Sequence, residues 1–157
     1  MTTNCCFTGH RKLENPAVIQ EITKREVIDL IKRGVTDYFA GGAVGFDTLS
    51  ALLILDLKPE YPQIKLHLVL PCPPEAQTRN WNEKDKSVYY DILSKADEFI
   101  TLSQTYYNGC MHSRNRYLVE HSQYCICYLT QAAGGTAYTV ERARAKCIEV
   151  TNVAEKM

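Results

Sequence analysis

A glycine-rich stretch between two apolar segments constrains the fold of this chain most. Residues 35–40 are β-branched and aromatic and predict a strand, whereas residues 49–57 are almost continuously apolar and predict a buried helix. Between them, Gly41, Gly42 and Gly45 allow the backbone to come close to a ligand. A helix that begins behind such a loop favours a phosphate or another anion. The alternative is a tight strand-to-helix turn that binds nothing.

Strand-like and helix-like segments alternate along the rest of the chain. Further strands are predicted at residues 4–8, 64–70, 98–102, 124–129 and 148–150, and further helices begin near residues 15, 75, 111 and 136. This alternation predicts an α/β fold, a three-layer Rossmann-like sandwich with a mostly parallel sheet of five or more strands. We expect residues 1–157 to form a single domain, because this length suffices to bury a core.

In such a sheet, right-handed crossovers bring the loops after the strands to one edge, where open α/β sheets bind ligands. We therefore expect the loops after the first, second, fourth and fifth strands to converge. The usual dinucleotide motif is missing, because the first strand is followed by Gly-His-Arg-Lys-Leu. The second strand also ends without the acidic residue that would hold a ribose, and the chain contains no Walker sequence.

Composition limits the possible partners. The 18 Lys and Arg residues balance the 18 Asp and Glu residues, which argues against nucleic acid as a partner. No apolar run is long enough to span a membrane and no leader sequence is present, so we expect a cytoplasmic protein. The seven cysteines are scattered and odd in number, which favours small core residues in a reducing compartment over disulfides. We predict no metal and no cofactor.

Four segments together resemble the SLOG superfamily, which joins DNA-processing protein A to the Lonely guy phosphoribohydrolases. They are residues 7–11, 41–47, 109–117 and 134–140, and within the superfamily they are most similar to the YpsA-like family. The resemblance implies binding of nucleotides or nucleotide-derived molecules at the carboxyl edge of the sheet. Its catalytic branch cleaves the N-glycosidic bond of nucleoside monophosphates.

The match to that catalytic branch is incomplete. The branch carries a Met-His-x-Arg segment, which residues 111–114 match, and a Gly-Thr pair followed by two glutamates. Tyr138 and Thr139 stand where those glutamates would be, and the nearest carboxylate is Glu141. If the chain is an enzyme, we expect a nucleotide N-glycosidase or phosphoribohydrolase in which Arg114 holds the phosphate and Glu141 is catalytic.

The predicted ligand contacts are mostly glycines, small polar residues and arginines of the converging loops. Arg114 is expected at an exposed helix start, where its guanidinium would clamp a phosphate, or else in a surface ion pair with Glu120. Asp47 is expected to cap its own helix rather than to bind ribose. The full predicted phosphate-binding and ligand-binding set comprises Gly9, His10, Arg11, Gly41, Gly42, Ala43, Gly45, Asp47, Arg114, Asn115, Gly134, Gly135 and Thr136.

Tyr106 and Tyr107 are candidates for stacking on a base, or for a subunit contact in a homodimer.

Three functions stay open. The leading hypothesis is a sensor-type protein that binds a nucleotide or nucleotide-derived small molecule. The second is the phosphoribohydrolase, which the missing glutamates disfavour. The third is a single-stranded nucleic-acid binder, which the zero net charge disfavours.

Overall fold

Six parallel strands form one sheet. The computed structural model describes residues 3–157 of the chain. The strands are β1 (Asn4–Gly9), β2 (Asp37–Ala40), β3 (Lys65–Leu70), β4 (Glu98–Thr101), β5 (Tyr124–Tyr128) and β6 (Glu149–Asn152). Their order across the sheet is β4-β3-β2-β1-β5-β6, and every pair is parallel. The predicted Rossmann-like α/β sandwich is confirmed.

Helices cover both faces of the sheet. They are α1 (Pro16–Lys32), α2 (Phe46–Leu57), α3 (Pro74–Gln77), α4 (Glu83–Lys95), α5 (Cys110–Glu120) and α6 (Gly135–Ala145), followed by a short 3₁₀ helix, Val153–Lys156. Helices α1, α2 and α4 pack on one face, and α5 and α6 pack on the other. Within residues 3–157 no helix combines the length and the apolar character needed to cross a membrane.

Side chains of β1 point alternately into the hydrophobic cores on the two faces of the sheet. Cys5 and Phe7 are fully buried in the core beneath α1 and α2, whereas Cys6 is fully buried in the core beneath α5 and α6. Successive side chains of a strand point to opposite faces, so a central strand with helices on both sides is apolar throughout. This position explains why β1 carries adjacent cysteines with no disulfide.

Two local features differ from the sequence-based expectation. One helix is predicted to begin near residue 75, but the segment forms two helices, α3 and α4, because Asn82 caps α4 by accepting a hydrogen bond from the backbone N–H of Asp85 at 2.8 Å. Helix α1 begins at Pro16 as predicted, yet Asn15 has a left-handed backbone (φ 61°) and its side chain makes no capping hydrogen bond. The apolar side chain of Val18 in α1 is 41% exposed.

The strand order creates a crevice beside β1. From β1 the chain steps through β2 and β3 to β4 on one side, and then returns to place β5 on the other side of β1. Where the connections from two adjacent strands run in opposite directions, a gap forms above the carboxyl ends of those strands. Doubly wound sheets bind ligands in this gap. In this chain the gap lies between the loops that follow β1 and β5.

Candidate functional site

A cavity of about 370 Å³ occupies this crevice. Its volume is in the range of small-molecule sites. Loops that follow β1, β2, β3 and β5 and the first turns of α5 and α6 surround it, so the structure brings together the segments that the sequence singled out. Its lining consists of Thr8, Gly9, His10, Arg11, Ala43, Val44, Asp47, Gln77, Trp81, Met111, Arg114, Asn115, Gln131, Ala133, Gly134, Gly135 and Thr136.

The glycine loop is locked against the loop that follows β1. The backbone N–H of Phe46 donates to the carbonyl oxygen of His10 at 3.1 Å. Gly45 has φ 97°, and a Cβ at this position would overlap the backbone of His10 and Arg11. Glycine is therefore required at position 45 for two reasons, its backbone conformation and the close approach of the two loops. Gly45 shapes the cavity wall without lining the cavity itself.

His10 connects the loop after β1 to the loop after β5. Its Nε2 accepts a hydrogen bond from the backbone N–H of Thr130 at 2.9 Å, and its ring packs edge to face on Tyr128 with centroids 5.8 Å apart. Partial burial lowers the pKa of His10, which favours the neutral ring that this acceptor role needs. The predicted ligand contact thus also has a structural function.

Arg114 is a buried residue, which corrects the sequence-based expectation. It is only 4% exposed, so the surface ion pair with Glu120 does not form. Its Nη1 donates to the carbonyl oxygen of Gly41, its Nε donates to Oδ1 of Asn115 at 2.8 Å, and its Nη2 lies 3.6 Å from the sulfur of Met111. Arg114 therefore anchors the glycine loop, and part of its hydrogen-bonding capacity is used before any ligand arrives.

Asp47 provides the carboxylate of the cavity. It is 7% exposed, and its Oδ2 accepts from the backbone N–H of Ala43 at 3.2 Å. The expected role as helix cap is wrong, because Gly45 holds the capping position and the Asp47 carboxylate turns back to the loop. Burial raises the pKa of Asp47, and the nearby charge of Arg114 opposes that rise. Asp47 is the sole acidic residue in the described lining.

The N-terminus of α6 opens onto the cavity through Gly134, Gly135 and Thr136. Gly134 precedes the helix with φ 108°, and no side chain caps this end. The first N–H groups of a helix have no intrahelical acceptors and carry partial positive charge. This end is consequently the part of the wall best suited to an anion.

Several predicted residues lie outside the cavity lining. Gly41 and Gly42 belong to the loop behind its wall. Tyr106 and Tyr107 are 61% and 44% exposed, and the Tyr107 hydroxyl pairs with Oγ of Ser113 at 3.0 Å instead of facing the cavity. Glu141 is exposed on α6, about 9 Å along the helix axis from Gly135. The structure therefore brings neither the two tyrosines nor Glu141 to the cavity.

The sequence predicted neither Gln77 nor Trp81 as a ligand contact. Both line the cavity from the segment between β3 and α4. The loop after β3 also lies at the carboxyl edge of the sheet, so the argument that predicted convergence of the other loops applies to it as well. The run Pro71-Cys72-Pro73-Pro74 follows the end of β3 and directs the chain across the same edge into α3.

The chain is similar to bacterial proteins of the UPF0398 group. It is 26% identical over 137 residues to a UPF0398 protein of Brevibacillus brevis, covering 85% of this chain and 72% of that one. It is 27% identical over 127 residues to a UPF0398 protein of Levilactobacillus brevis, covering 79% of this chain and 66% of that one. Similarity thus extends over most of the fold.

Two solved structures share the fold. One is DNA processing protein A from Helicobacter pylori, with a TM-score of 0.67 and 16% identity over 94% of this chain. The other is DNA processing protein A from Streptococcus pneumoniae, with a TM-score of 0.71 and 15% identity over 95% of this chain. The chain spans 63% and 49% of the lengths of these two proteins.

The family profile agrees with the fold and with the motifs around the cavity. The YpsA profile, described as the YspA SLOG family, matches residues 5–153, which include all six strands except the first residue of β1. All four resembling segments fall within this match. The chain belongs to the YpsA family of SLOG proteins.

Proposed function

We propose that the cavity beside β1 binds a nucleotide or nucleotide-derived molecule, with a phosphate at the N-terminus of α6. The observation that carries this proposal is the uncapped helix end at Gly134, Gly135 and Thr136, which forms part of the cavity wall. Membership of a SLOG family supports a nucleotide-related role. The volume and mixed polar and apolar lining suit a small molecule.

The charges around the cavity assign different roles to its two arginines. Arg114 is buried, and its positive charge adds to the helix end while its side chain holds Gly41 in place. Arg11 is exposed and also lines the cavity, so its guanidinium is free to fold over a bound phosphate. We expect backbone donors of α6 to position the phosphate, and the two arginines to supply charge.

Gly135 offers a sharp test. A Cβ at Gly135 meets no atom within 4 Å, so a side chain can be added without disturbing the fold. Gly135→Asp places a negative charge at the proposed phosphate position, whereas Gly135→Asn adds a neutral side chain of the same shape. Calorimetric titration with nucleoside monophosphates should show binding by the wild type and by Gly135→Asn, and at least tenfold weaker binding by Gly135→Asp. Equal affinities of the two variants would refute the phosphate position.

Hydrolysis of the N-glycosidic bond is a second candidate, because Asp47 places one buried carboxylate in the cavity. A carboxylate with a raised pKa can exchange a proton or stabilise an oxocarbenium-like centre. Incubation of the wild type and of Asp47→Asn with nucleoside monophosphates, followed by chromatography of free base, tests this function. Release by the wild type alone supports hydrolysis, whereas no release by the wild type rejects it.

Single-stranded nucleic acid is a third candidate. DNA processing protein A from Helicobacter pylori, which shares the fold, is described by its single-stranded DNA binding mode. This chain has balanced charges, 18 basic and 18 acidic. Titration with a labelled oligonucleotide at two salt concentrations separates the cases, because contacts to several phosphates make affinity fall steeply with salt. Micromolar, salt-sensitive binding would favour this function over a small-molecule site.

A further inference from the structure

Trp81 is the one tryptophan of the chain, and it lines the cavity. It lies in the segment between α3 and α4 and is half-buried. Its backbone N–H donates to the carbonyl oxygen of Thr78 at 3.0 Å, which fixes the chain at the point where the side chain leaves it. An indole that stays partly exposed at a cavity wall offers a large, flat apolar surface to a ligand in that cavity.

Tyr89 supports the indole without covering both of its faces. The rings of Trp81 and Tyr89 make an edge-to-face contact, with centroids 5.2 Å apart and an interplanar angle of 85°. One of two rings in this geometry presents only its edge, so Tyr89 covers at most one face of the indole. Tyr89 is itself 5% exposed, and its hydroxyl is paired with Oε1 of Gln77 at 3.0 Å. A buried, hydrogen-bonded ring thus holds Trp81 in place from the protein side.

The indole N–H of Trp81 is a second sign that the side chain is accessible. This group makes no hydrogen bond within residues 3–157. Five buried side-chain polar atoms of the same residues lack a partner, and the indole nitrogen is not one of them. The N–H is therefore open to solvent, although buried tryptophans usually pair this group. Water or a ligand can consequently reach the indole.

Trp81 and the proposed phosphate position lie on opposite sides of the cavity. Trp81 follows β3, whereas Gly135 follows β5. Strands β2 and β1 lie between β3 and β5, which corresponds to three strand spacings, or about 14 Å. The phosphate and the base are the two ends of a nucleoside monophosphate. A nucleotide that crosses the cavity from Gly135 therefore brings its base to the side of Trp81.

We propose that Trp81 stacks on the base of the bound nucleotide. This inference rests on the proposed nucleotide-binding function and adds the residue that recognises the base. It replaces Tyr106 and Tyr107, the candidates from sequence, because neither tyrosine lines the cavity. Every base has an aromatic face, so stacking selects nucleotides over sugar phosphates without selecting among the bases.

The fluorescence of Trp81 tests this contact directly, because the chain has no other tryptophan. A base stacked on an indole quenches its emission, which is excited at wavelengths that the base does not absorb. Saturating adenosine, guanosine, cytidine or uridine monophosphate should quench the wild type, and ribose 5-phosphate should leave its emission unchanged. Nucleotide binding that calorimetry detects without quenching, or equal quenching by ribose 5-phosphate, would overturn the inference.

Replacement of Trp81 separates stacking from a purely structural role. By calorimetry, Trp81→Leu should bind the tightest of the four nucleotides roughly five- to hundredfold more weakly than the wild type. Trp81→Phe keeps an aromatic face and should lose less affinity. Tyr106→Leu is the matched control and should bind as the wild type does, because Tyr106 is exposed outside the cavity lining. Unchanged affinity in Trp81→Leu, or equal losses in Trp81→Leu and Trp81→Phe, would contradict stacking.

The outcomes separate this inference from the proposed function. If nucleotides bind without quenching, stacking is wrong and nucleotide binding stands. If nucleotides bind and quench but Gly135→Asn and Gly135→Asp bind equally well, the phosphate position is wrong and stacking stands. If the folded wild type binds none of the four nucleotides, both proposals fail. Urea denaturation establishes that each variant is folded, and if Trp81→Leu does not fold, the emission of the wild type decides the inference.

Discussion

Because Arg114 is buried, its side chain stabilises the folded protein in addition to any contact with a ligand. An arginine at the surface would leave stability almost unchanged when replaced, which was the expectation from sequence. In the fold, Arg114 is 4% exposed and holds the carbonyl of Gly41, and Asp47 is the acidic neighbour that its charge stabilises. Its replacement therefore affects the folded state as well as any ligand.

We predict that Arg114→Ala lowers the free energy of unfolding by about 1–3 kcal/mol, because the buried carbonyl of Gly41 loses its donor. Arg116→Ala on the same helix is the matched control, since Arg116 is exposed and should change stability by no more than about 0.5 kcal/mol. Urea denaturation followed by circular dichroism measures both. Equal stability of the two variants would mean that Arg114 is not an anchor.

His10 should make stability depend on pH. Its pKa is lowered in the folded state by burial, so between that value and the unfolded value of about 6.5 the unfolded chain binds more protons. Its contribution to stability is complete above about pH 6.5 and is lost as the pH falls through the folded pKa. Protonation of Nε2 would also remove the hydrogen bond from Thr130.

We therefore predict that His10→Gln loses less stability than the wild type between pH 7.5 and pH 5.5. His112→Gln is the control, because His112 is exposed and lies outside the cavity lining. Urea denaturation at the two pH values gives the comparison. An identical pH dependence in the wild type and in His10→Gln would contradict the assigned role.

The glycine loop and α2 form one element whose position depends on Gly45. Gly45 and Gly109 both precede a helix with φ 97°, yet an added Cβ meets the neighbouring loop at Gly45 and nothing within 4 Å at Gly109. Their ψ angles differ, −124° at Gly45 and −2° at Gly109, so Gly45 combines close packing with a backbone conformation that favours glycine more strongly than the left-handed conformation of Gly109.

Gly109→Ala should lower the free energy of unfolding by about 1–2 kcal/mol, the cost of a left-handed backbone for a residue with a Cβ. Gly45→Ala should cost about 1–3 kcal/mol more, because its backbone conformation is less favourable for alanine and the two loops must also move apart. Chemical denaturation of both variants measures the difference. Similar losses in the two variants would contradict the special requirement for glycine at position 45.

The periodicity of apolar residues predicts most helices and strands of the fold, but only part of the candidate site. The strands and the convergence of the glycine loops follow from apolar runs and from the carboxyl-edge rule. The burial of Arg114 could not be predicted, because it depends on the carbonyl of Gly41, which lies 73 residues earlier. The break at Asn82 depends on local capping, and the position of Gln77 in the cavity wall depends on a tertiary hydrogen bond from Tyr89.

Over the whole molecule, six of the seven cysteines are buried and all are free thiols. Cys147 is the exposed one. We predict that a thiol reagent titrates one group in the native protein and seven after unfolding, and that the melting temperature changes by less than about 2 °C with reductant. A melting temperature that falls strongly on reduction would reveal a stabilising disulfide and contradict this prediction.

Our central proposal is that the cavity between the loops after β1 and β5 binds a phosphate-bearing ligand. A crystal structure of the protein grown with a nucleoside monophosphate tests it most directly. The account predicts the phosphate within hydrogen-bond distance of the backbone N–H groups of Gly135 and Thr136. A nucleotide bound elsewhere on the protein, with this cavity holding only water, would contradict it.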